Sequence, residues 1–356
     1  MVRCSNYKEE ADPSADRRRL ISGELSRLLF SIRNHVEVPT LVEVTEERQL
    51  RVHSFPALAS NSAPQDKRGF NGLIVASQGT LIATSWDRVS WIDPATLAVL
   101  DCLTHPWFSD LHSVQELDPG TLLISSTNLG AGLVVSGESV RGAWSWDGWH
   151  LDPDELEALD FRRITKSESA HYGPHVAGVQ LLGDLMFVAL MLLGPAGGAL
   201  RDEADVIDLA PRGGPANEVG AVLVYEASTG RRVRTILTGS VHEAAADPSG
   251  QLLYFPEYFS NSLVLVDTAR CDATRIQLEV PEWSRTATLT RGLLMRNGEL
   301  VVGHPVRRLT DANPSLASYR LTNSVAAARF ELETWMSTYS VVELPASRSF
   351  CDQGPG

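Results

Sequence analysis

Residues 242–267 read HEAAADPSGQLLYFPEYFSNSLVLVD, and this stretch decides the fold. It holds three apolar runs, separated by an Asp-Pro-Ser-Gly turn and by a second turn around Asn261. Short runs of strand-forming residues between turn residues are typical of an antiparallel meander. Because so small a sheet cannot bury both of its faces alone, we expect similar units elsewhere in the chain.

The second strand of this meander begins with a phrase of the form Gly-polar-apolar-apolar, and the phrase recurs. Its five copies begin at Gly79, Gly120, Gly183, Gly250 and Gly298. Units of about 40 to 70 residues with four short strands each indicate a β-propeller. We predict an all-β propeller of six four-stranded blades, five from the repeats and one built from both ends of the chain. Seven blades are the alternative if the two ends form separate blades.

The two ends of the chain and two insertions complete the prediction. Residues 20–34 have apolar side chains at near-helical spacing and predict a short helix, although SGELSRLLFS also reads as a degenerate copy of the repeat phrase. The segments RFELETW and YSVVEL, in residues 329–344, are predicted to pair with the N-terminal strands VEVPTLVEV and RQLRVHSF. The predicted parts are an N-terminal extension (1–34), a propeller (35–345) and a tail (346–356), with inserted loops at 144–173 and 194–220.

Composition and charge limit the function. The chain has 356 residues and a net charge of −13, which repels phosphate backbones and argues against nucleic acid as a partner. The longest apolar run, residues 185–193, is much shorter than the roughly 20 residues that cross a bilayer. The four cysteines form no CxxC pair and the N-terminus has no apolar signal region, which predicts a reducing cytoplasm. No nucleotide-binding motif occurs, so no nucleotide cofactor is expected.

Three of the five repeats carry a histidine at the same position. Counting eight residues back from each glycine gives Asn71, His112, His175, His242 and Thr290. In a propeller the first strand of each blade lines the central channel, so equivalent positions converge near the axis. We therefore expect these five residues to form a ring, with Glu243 and Arg291 beside it in the chain.

Such a ring suits two kinds of chemistry. As metal ligands, His112, His175 and His242, with His304 as a fourth, favour zinc, iron or copper, with magnesium or calcium as alternatives. Without a metal, the same imidazoles can act as acids and bases near neutral pH. The competing interpretation is that each histidine only hydrogen-bonds the backbone of a neighbouring blade.

Neighbouring polar residues extend this candidate site. Arg291 is a forked cation that can hold a carboxylate, sulfate or phosphate. Glu243 follows His242 directly and is a candidate catalytic carboxylate. Glu257 and Tyr258, at the end of a second strand, either face the same funnel or pack within the fold.

Two stretches resemble known propeller families. Residues 242–267 resemble a blade of the streptogramin-lyase and gluconolactonase-like propellers, and LHSVQELDPGTLLIS (111–125) is similar to a phrase of the arylsulfotransferase-like propellers. The first resemblance implies an elimination or ring opening by a histidine base helped by a divalent ion, with His242 and Glu243 at the matching blade start. The second implies a histidine and an arginine that handle a sulfuryl group, matching His112 and Arg291. Four-histidine iron propellers, such as carotenoid oxygenases, are a third comparison.

We predict a propeller enzyme that acts on a small organic molecule at the channel, by a lyase- or isomerase-type reaction of specialised metabolism. Arylsulfotransferase-like group transfer is one alternative, and a non-catalytic propeller that binds a protein partner is another. A binding platform needs an exposed apolar or charged patch on a rim, whereas an enzyme needs histidines beneath an open funnel.

Overall fold

The computed structural model describes most of the repeat region and parts of both ends of the chain. The described residues are 27–32, 38–44, 50–64, 67–145, 160–163, 174–191, 200, 205–210, 219–278, 290–296, 299–304, 315–320, 325–331 and 338–344. Strands dominate these residues, and no helix among them is long and apolar enough to cross a membrane.

The described strands form six sheets. The first sheet combines both ends of the chain and has the order β25-β1-β2-β3, with strands β1 (Arg27–Ile32), β2 (Thr40–Val44), β3 (Leu50–Ser54) and β25 (Thr338–Leu344). The second contains β4 (Leu73–Val75), β5 (Leu81–Thr84), β6 (Arg88–Ile92) and β7 (Val99–Thr104). The third contains β8 (Leu111–Asp118), β9 (Thr121–Ser126), β10 (Ala131–Ser136) and β11 (Ser139–Ser145).

The other three sheets follow the same antiparallel pattern. The fourth contains β12 (Val176–Leu182), β13 (Leu185–Leu190), β15 (Val219–Glu226) and β16 (Arg232–Gly239), with β14 (Val206–Asp208) parallel to β16 at its outer edge. The fifth contains β17 (Ala245–Ala246), β18 (Leu252–Glu257), β19 (Ser262–Asp267) and β20 (Asp272–Gln277). The sixth contains β21 (Arg291–Arg296), β22 (Glu299–His304), β23 (Ser315–Arg320) and β24 (Val325–Glu331).

One edge strand of each sheet faces the centre of the ring. These inner strands are β25, β4, β8, β12, β17 and β21, and neighbours among them touch: β25 with β4, β4 with β8, β8 with β12, β17 with β21, and β21 with β25. Between β12 and the segment before β17 the approach is also close, because a Cβ placed on Gly178 would lie 3.0 Å from the Cα of Glu243. The all-β propeller prediction is thus confirmed.

The repeat phrase marks the second strand of each unit, as expected. Gly79, Gly120, Gly183 and Gly250 have φ angles of 84°, 81°, 56° and 68°, and each lies in the turn before the second strand. Positive φ is a conformation that glycine adopts at little cost. Apolar side chains from neighbouring sheets then pack together, as Leu123 of β9 does with Val179 and Val188 of the next sheet.

Strand β25 closes the ring by pairing with β1. The two strands are antiparallel, with Leu29 opposite Val342. The backbone N–H of Ser340 donates to Oγ of Ser31 (2.9 Å), and the hydroxyl of Ser340 accepts from the N–H of Leu73 in the next sheet (3.2 Å). The predicted closing role of YSVVEL is correct. The predicted closing role of RFELETW is wrong, since its described residues belong to β24, which pairs with β23 in the sixth sheet.

The helix predicted for residues 20–34 is contradicted where the structure describes that segment. Arg27–Ile32 is a strand, and it lies before the predicted propeller start at residue 35. Five consecutive residues, from Leu28 to Ile32, are buried, because β1 has a strand on each side and a covered sheet on both faces. A strand buried on both faces is apolar along its whole length, and over a few residues this pattern cannot be distinguished from helical spacing. The other residues of 20–34 lie outside the described residues.

Candidate functional site

The repeat register brings the three histidines together at the starts of three inner strands. His112 is the second residue of β8, His175 directly precedes β12, and His242 precedes β17. The ring of His112 stacks on that of His242, with centroids 5.6 Å apart and planes 9° apart. The ring of His175 meets that of His112 edge-on at 5.4 Å. His112 and His242 are buried and His175 is half-buried, so His175 lies on the more accessible side of the cluster.

Arg291 joins two of these imidazoles. It is the first residue of β21 and is 2% exposed. One guanidinium nitrogen, Nη2, lies 2.7 Å from Nδ1 of His242 and 3.2 Å from Nδ1 of His112. A guanidinium only donates hydrogen bonds and stays charged at any ordinary pH. A permanent positive charge therefore lies between the two stacked rings.

A buried carboxylate contacts His112 from the other side. Asp110 is fully buried, and its Oδ1 lies 3.3 Å from Nε2 of His112. Its Oδ2 accepts from Nζ of Lys67 at 2.9 Å. The same ammonium group lies 5.0 Å from the ring centroid of Trp86, a cation–π distance. Neither Asp110 nor Lys67 was among the candidates from the sequence.

Tyr258 and Glu243 flank His242. The ring of Tyr258 lies 4.9 Å from that of His242, and the guanidinium carbon of Arg291 lies 5.3 Å from the Tyr258 ring. Oε2 of Glu243 lies 3.7 Å from Nδ1 of His242, and its side chain is 15% exposed. Each of the two stacked imidazoles thus has a carboxylate beside it, Asp110 for His112 and Glu243 for His242.

Glu257, the residue before Tyr258, is fixed by hydrogen bonds at the end of β18. It is fully buried, and its carboxylate accepts hydrogen bonds from the side chains of Thr238, Ser260, Ser262 and Arg275 and from the N–H of Gly239. Burial alone would raise the pKa of Glu257, but the hydrogen bonds from Ser262 and Thr238 and the charge of Arg275 hold it below its ordinary value. Of the two interpretations from the sequence, packing within the fold describes Glu257, and a place in the channel cluster describes Tyr258.

The other members of the predicted ring connect neighbouring sheets. The amide of Asn71 donates to the carbonyl of Leu111, and the hydroxyl of Thr290 donates to the carbonyl of Ser260 at 2.9 Å. Beside Asn71, a Cβ placed on Gly72 would lie 2.2 Å from the carbonyl oxygen of His112. These residues fix the spacing of the inner strands, and so the position of His112.

His304, predicted as a fourth metal ligand, is the last residue of β22, paired with Ser315. Its side chain lies outside the described part of the structure, so its predicted role stays a prediction.

The histidines predicted as metal ligands share their Nδ1 atoms with Arg291. Within the described ranges, no group of three or more His, Cys, Asp or Glu side chains could hold a metal ion. The guanidinium of Arg291 contacts the Nδ1 atoms of His112 and His242, and its positive charge repels a divalent cation. The metal role predicted for the channel histidines stays a prediction.

No protein-family model matches the chain, and no curated protein matches it. Solved structures match at the level of the fold. A protein of unknown function from Bacteroides caccae has 10% identity over 90% of this chain and 99% of its own, with a TM-score of 0.59. A chain of a nidogen/laminin complex has 9% identity over 90% of this chain and 99% of its own, with a TM-score of 0.56.

The solved structures also include a propeller of the family that residues 242–267 resemble. A catalytically inactive variant of virginiamycin B lyase from Staphylococcus aureus, in complex with quinupristin, has 9% identity over 75% of this chain and 71% of its own, with a TM-score of 0.44. Likeness at these identities concerns the fold alone, and it leaves the activity to the site itself.

Proposed function

We propose that this propeller is an enzyme that uses its channel histidines for acid–base chemistry on a small organic molecule, in a lyase- or isomerase-type reaction. The proposal depends above all on one observation: a single guanidinium, Arg291, lies between the stacked imidazoles of His112 and His242. Each imidazole also has a carboxylate beside it. Two proton-transfer groups and a fixed positive charge are the parts that proton abstraction next to a carbonyl requires.

The steps follow from the properties of these groups. A substrate carbonyl or carboxylate oxygen that accepts from Arg291 would replace one of its imidazole partners, and that imidazole would then take a proton from the adjacent carbon. The electron pair of the broken C–H bond moves to the oxygen, where the guanidinium stabilises the negative charge. The imidazolium formed in this step completes the reaction. It returns the same proton at another atom in an isomerisation, or gives it to the leaving group in an elimination, while the other imidazole still accepts from Arg291.

The alternatives have less support from the described residues. Group transfer of a sulfuryl moiety would also use Arg291, but it does not require two imidazoles that share one cation. For a protein-binding platform, the large apolar side chains exposed among the described residues are Val52, Val99 and Leu100, and Val52 lies on a different sheet from the other two. A place in specialised metabolism and a cytoplasmic location stay predictions from the sequence.

The proposal can be tested with a panel of small lactones and β-substituted carboxylic acids in D₂O, followed by proton NMR. The spectra report ring opening, alkene formation and exchange of the carbon-bound proton for deuterium. Loss of one acid–base group costs about 10²-fold or more in rate, and we expect this from His112→Ala and from His242→Ala. The matched control is His53→Ala. His53 lies on β3, the outermost strand of its sheet and away from the channel, where its ring bonds the carboxylate of Glu43 (3.0 Å).

Two results would contradict the proposal. One is a panel in which no compound is turned over or exchanged. The other is turnover that persists in both channel variants, or that falls equally in the His53→Ala control.

A further inference from the structure

We propose that Asp110 is a positioning residue that decides which nitrogen of His112 exchanges protons, and that Lys67 holds Asp110 for that task. The inference rests on the function proposed above. It assigns the reacting nitrogen, and with it the point in the channel where a substrate must bind.

Asp110 has an unusual backbone conformation directly before the inner strand. Its φ angle is 55°, in the left-handed region, and it immediately precedes β8. Aspartate enters this region more readily than most residues, yet such conformations persist only where the surroundings enforce them, and they cluster at functional sites. Here the backbone carbonyl of Asp110 accepts from the N–H of Thr127 at 3.3 Å. The conformation places the carboxylate of Asp110 against the imidazole two residues along the chain.

The contacts of His112 determine its tautomer. Arg291 has no acceptor atom, so Nδ1 of His112 must accept at the 3.2 Å contact. The ring proton of the neutral imidazole is then on Nε2, the nitrogen that lies 3.3 Å from Oδ1 of Asp110. An ionised carboxylate only accepts, so Asp110 and Arg291 select the same tautomer from opposite sides of the ring.

Lys67 completes the arrangement at the second oxygen of Asp110. Its ammonium group donates to Oδ2 at 2.9 Å, and its side chain is 21% exposed, whereas that of Asp110 is 1% exposed. A buried carboxylate needs a charged partner to stay ionised. Lys67 therefore keeps Asp110 an acceptor, and the link to Oδ2 also restricts rotation of the carboxylate.

This bonding pattern assigns Nδ1 as the reacting nitrogen of His112. Nε2 already carries the ring proton and lies 3.3 Å from Asp110, so a proton from substrate can be taken up only at Nδ1, which faces Arg291. Nδ1 of His242 lies 2.7 Å from the same guanidinium nitrogen. Both imidazoles thus present Nδ1 to one point, and the carbon that loses its proton must lie there, next to the substrate oxygen that accepts from Arg291.

The first test is a measurement on the wild-type protein and requires no substrate. Long-range proton–nitrogen NMR of the ¹⁵N-labelled protein identifies the protonated nitrogen of each imidazole, and His112→Gln assigns the His112 signals. We expect His112 to carry its proton on Nε2. A proton on Nδ1 in the neutral ring would overturn the proposal without any other variant.

The second test is Asp110→Asn, which keeps the shape and tolerates the left-handed backbone but can donate to Nε2. We expect the tautomer of His112 to shift toward a protonated Nδ1, which breaks the bond from Arg291, and kcat to fall about 100-fold. The matched control is Asp87→Asn, a buried aspartate bonded by Ser60, Ser62 and Arg88. It should leave the tautomer unchanged, and Lys67→Arg, which keeps the cation, should retain the wild-type tautomer.

The outcomes separate the two proposals. A shifted tautomer in Asp110→Asn without any turnover in the wild-type protein would support the positioning role and contradict the proposed function. Turnover in the wild type with neither tautomer nor kcat changed in Asp110→Asn would overturn the positioning role alone. An equal shift in Asp87→Asn would show that loss of any buried carboxylate has this effect, and would also overturn it.

Discussion

Replacing Glu257 by glutamine tests how firmly the fold holds the edge of the channel. The carboxylate of Glu257 accepts from five donors, and the shortest charged contact is Nε of Arg275 at 2.6 Å. Glutamine keeps the shape but turns an amide N–H₂ toward a donor. Serine and threonine hydroxyls can rotate to accept, whereas the guanidinium of Arg275 cannot.

The loss of unfolding free energy expected for Glu257→Gln follows from the contact with Arg275. Breaking a buried ion pair costs about 3–5 kcal/mol, and the lower end applies here because the side chain of Arg275 is 30% exposed. At about 2–4 °C per kcal/mol, Tm should fall by roughly 6–12 °C. The matched control is Glu226→Gln. The carboxylate of Glu226 accepts from Thr229 and Arg231 at an exposed position at the end of β15. The urea midpoint of this variant should not change measurably, since exposed pairs contribute little.

The stability that Glu257 contributes depends on pH, and the direction of its pKa shift determines the sign of that dependence. The pKa of Glu257 in the folded protein lies below its ordinary value of 4.5, since the hydrogen bonds and Arg275 outweigh the effect of burial. A lowered pKa contributes stability that is present above the unfolded pKa and is lost as pH falls through the folded pKa. The difference in unfolding free energy between wild type and Glu257→Gln should therefore be constant near pH 7 and shrink below about pH 4.5. Urea unfolding followed by tryptophan fluorescence at both pH values measures it. A difference that stays constant on acidification, or one no larger than that of the control, would refute the reasoning.

Three further predictions concern the channel. Elemental analysis of the purified protein should find no stoichiometric divalent metal, because Arg291 holds two imidazoles; near-stoichiometric zinc, iron or copper that disappears in His242→Ala would contradict this. Gly72→Ala should lower the unfolding free energy by about 1–3 kcal/mol and reduce turnover, since its Cβ would lie 2.2 Å from the carbonyl oxygen of His112; unchanged urea midpoint and rate would count against the close approach. Tyr258→Leu should cost about 1 kcal/mol by removing the cation–π contact with Arg291, and Tyr258→Phe, which keeps the ring, should cost less in the same urea assay.

Much of the fold could be predicted from the sequence because its turns have a local signature. The four described glycines of the repeat phrase, Gly79, Gly120, Gly183 and Gly250, have positive φ, and a residue with that requirement is visible in the sequence. The prediction of a helix at the first strand is wrong because that strand has no local signature. Arg27–Ile32 becomes a strand through pairing with β25, some 300 residues away, and no local propensity reports such a partner.

The residues of the candidate site also differ in how far the sequence predicts them. His112, His175 and His242 share a register, so their convergence follows from the repeat once the fold is a propeller. Asp110 has a weak signal, since it lies two residues before a register histidine. Lys67 has none, because it comes from a loop between sheets, and the path of such a loop depends on tertiary packing.

The closure of the ring by β25 has a consequence for the order of events in the cell. The hydroxyl of Ser31 receives its hydrogen bond from a residue 309 positions later. During synthesis, the edge of β1 that pairs with β25 therefore has no partner strand until residues 338–344 have been synthesised. Before that moment the ring of inner strands around the channel is incomplete. The histidines of the growing chain therefore do not yet form an enclosed site. A truncated chain that lacks β25 should expose the edge of β1 to other chains, and aggregation is the usual fate of an exposed edge of this kind.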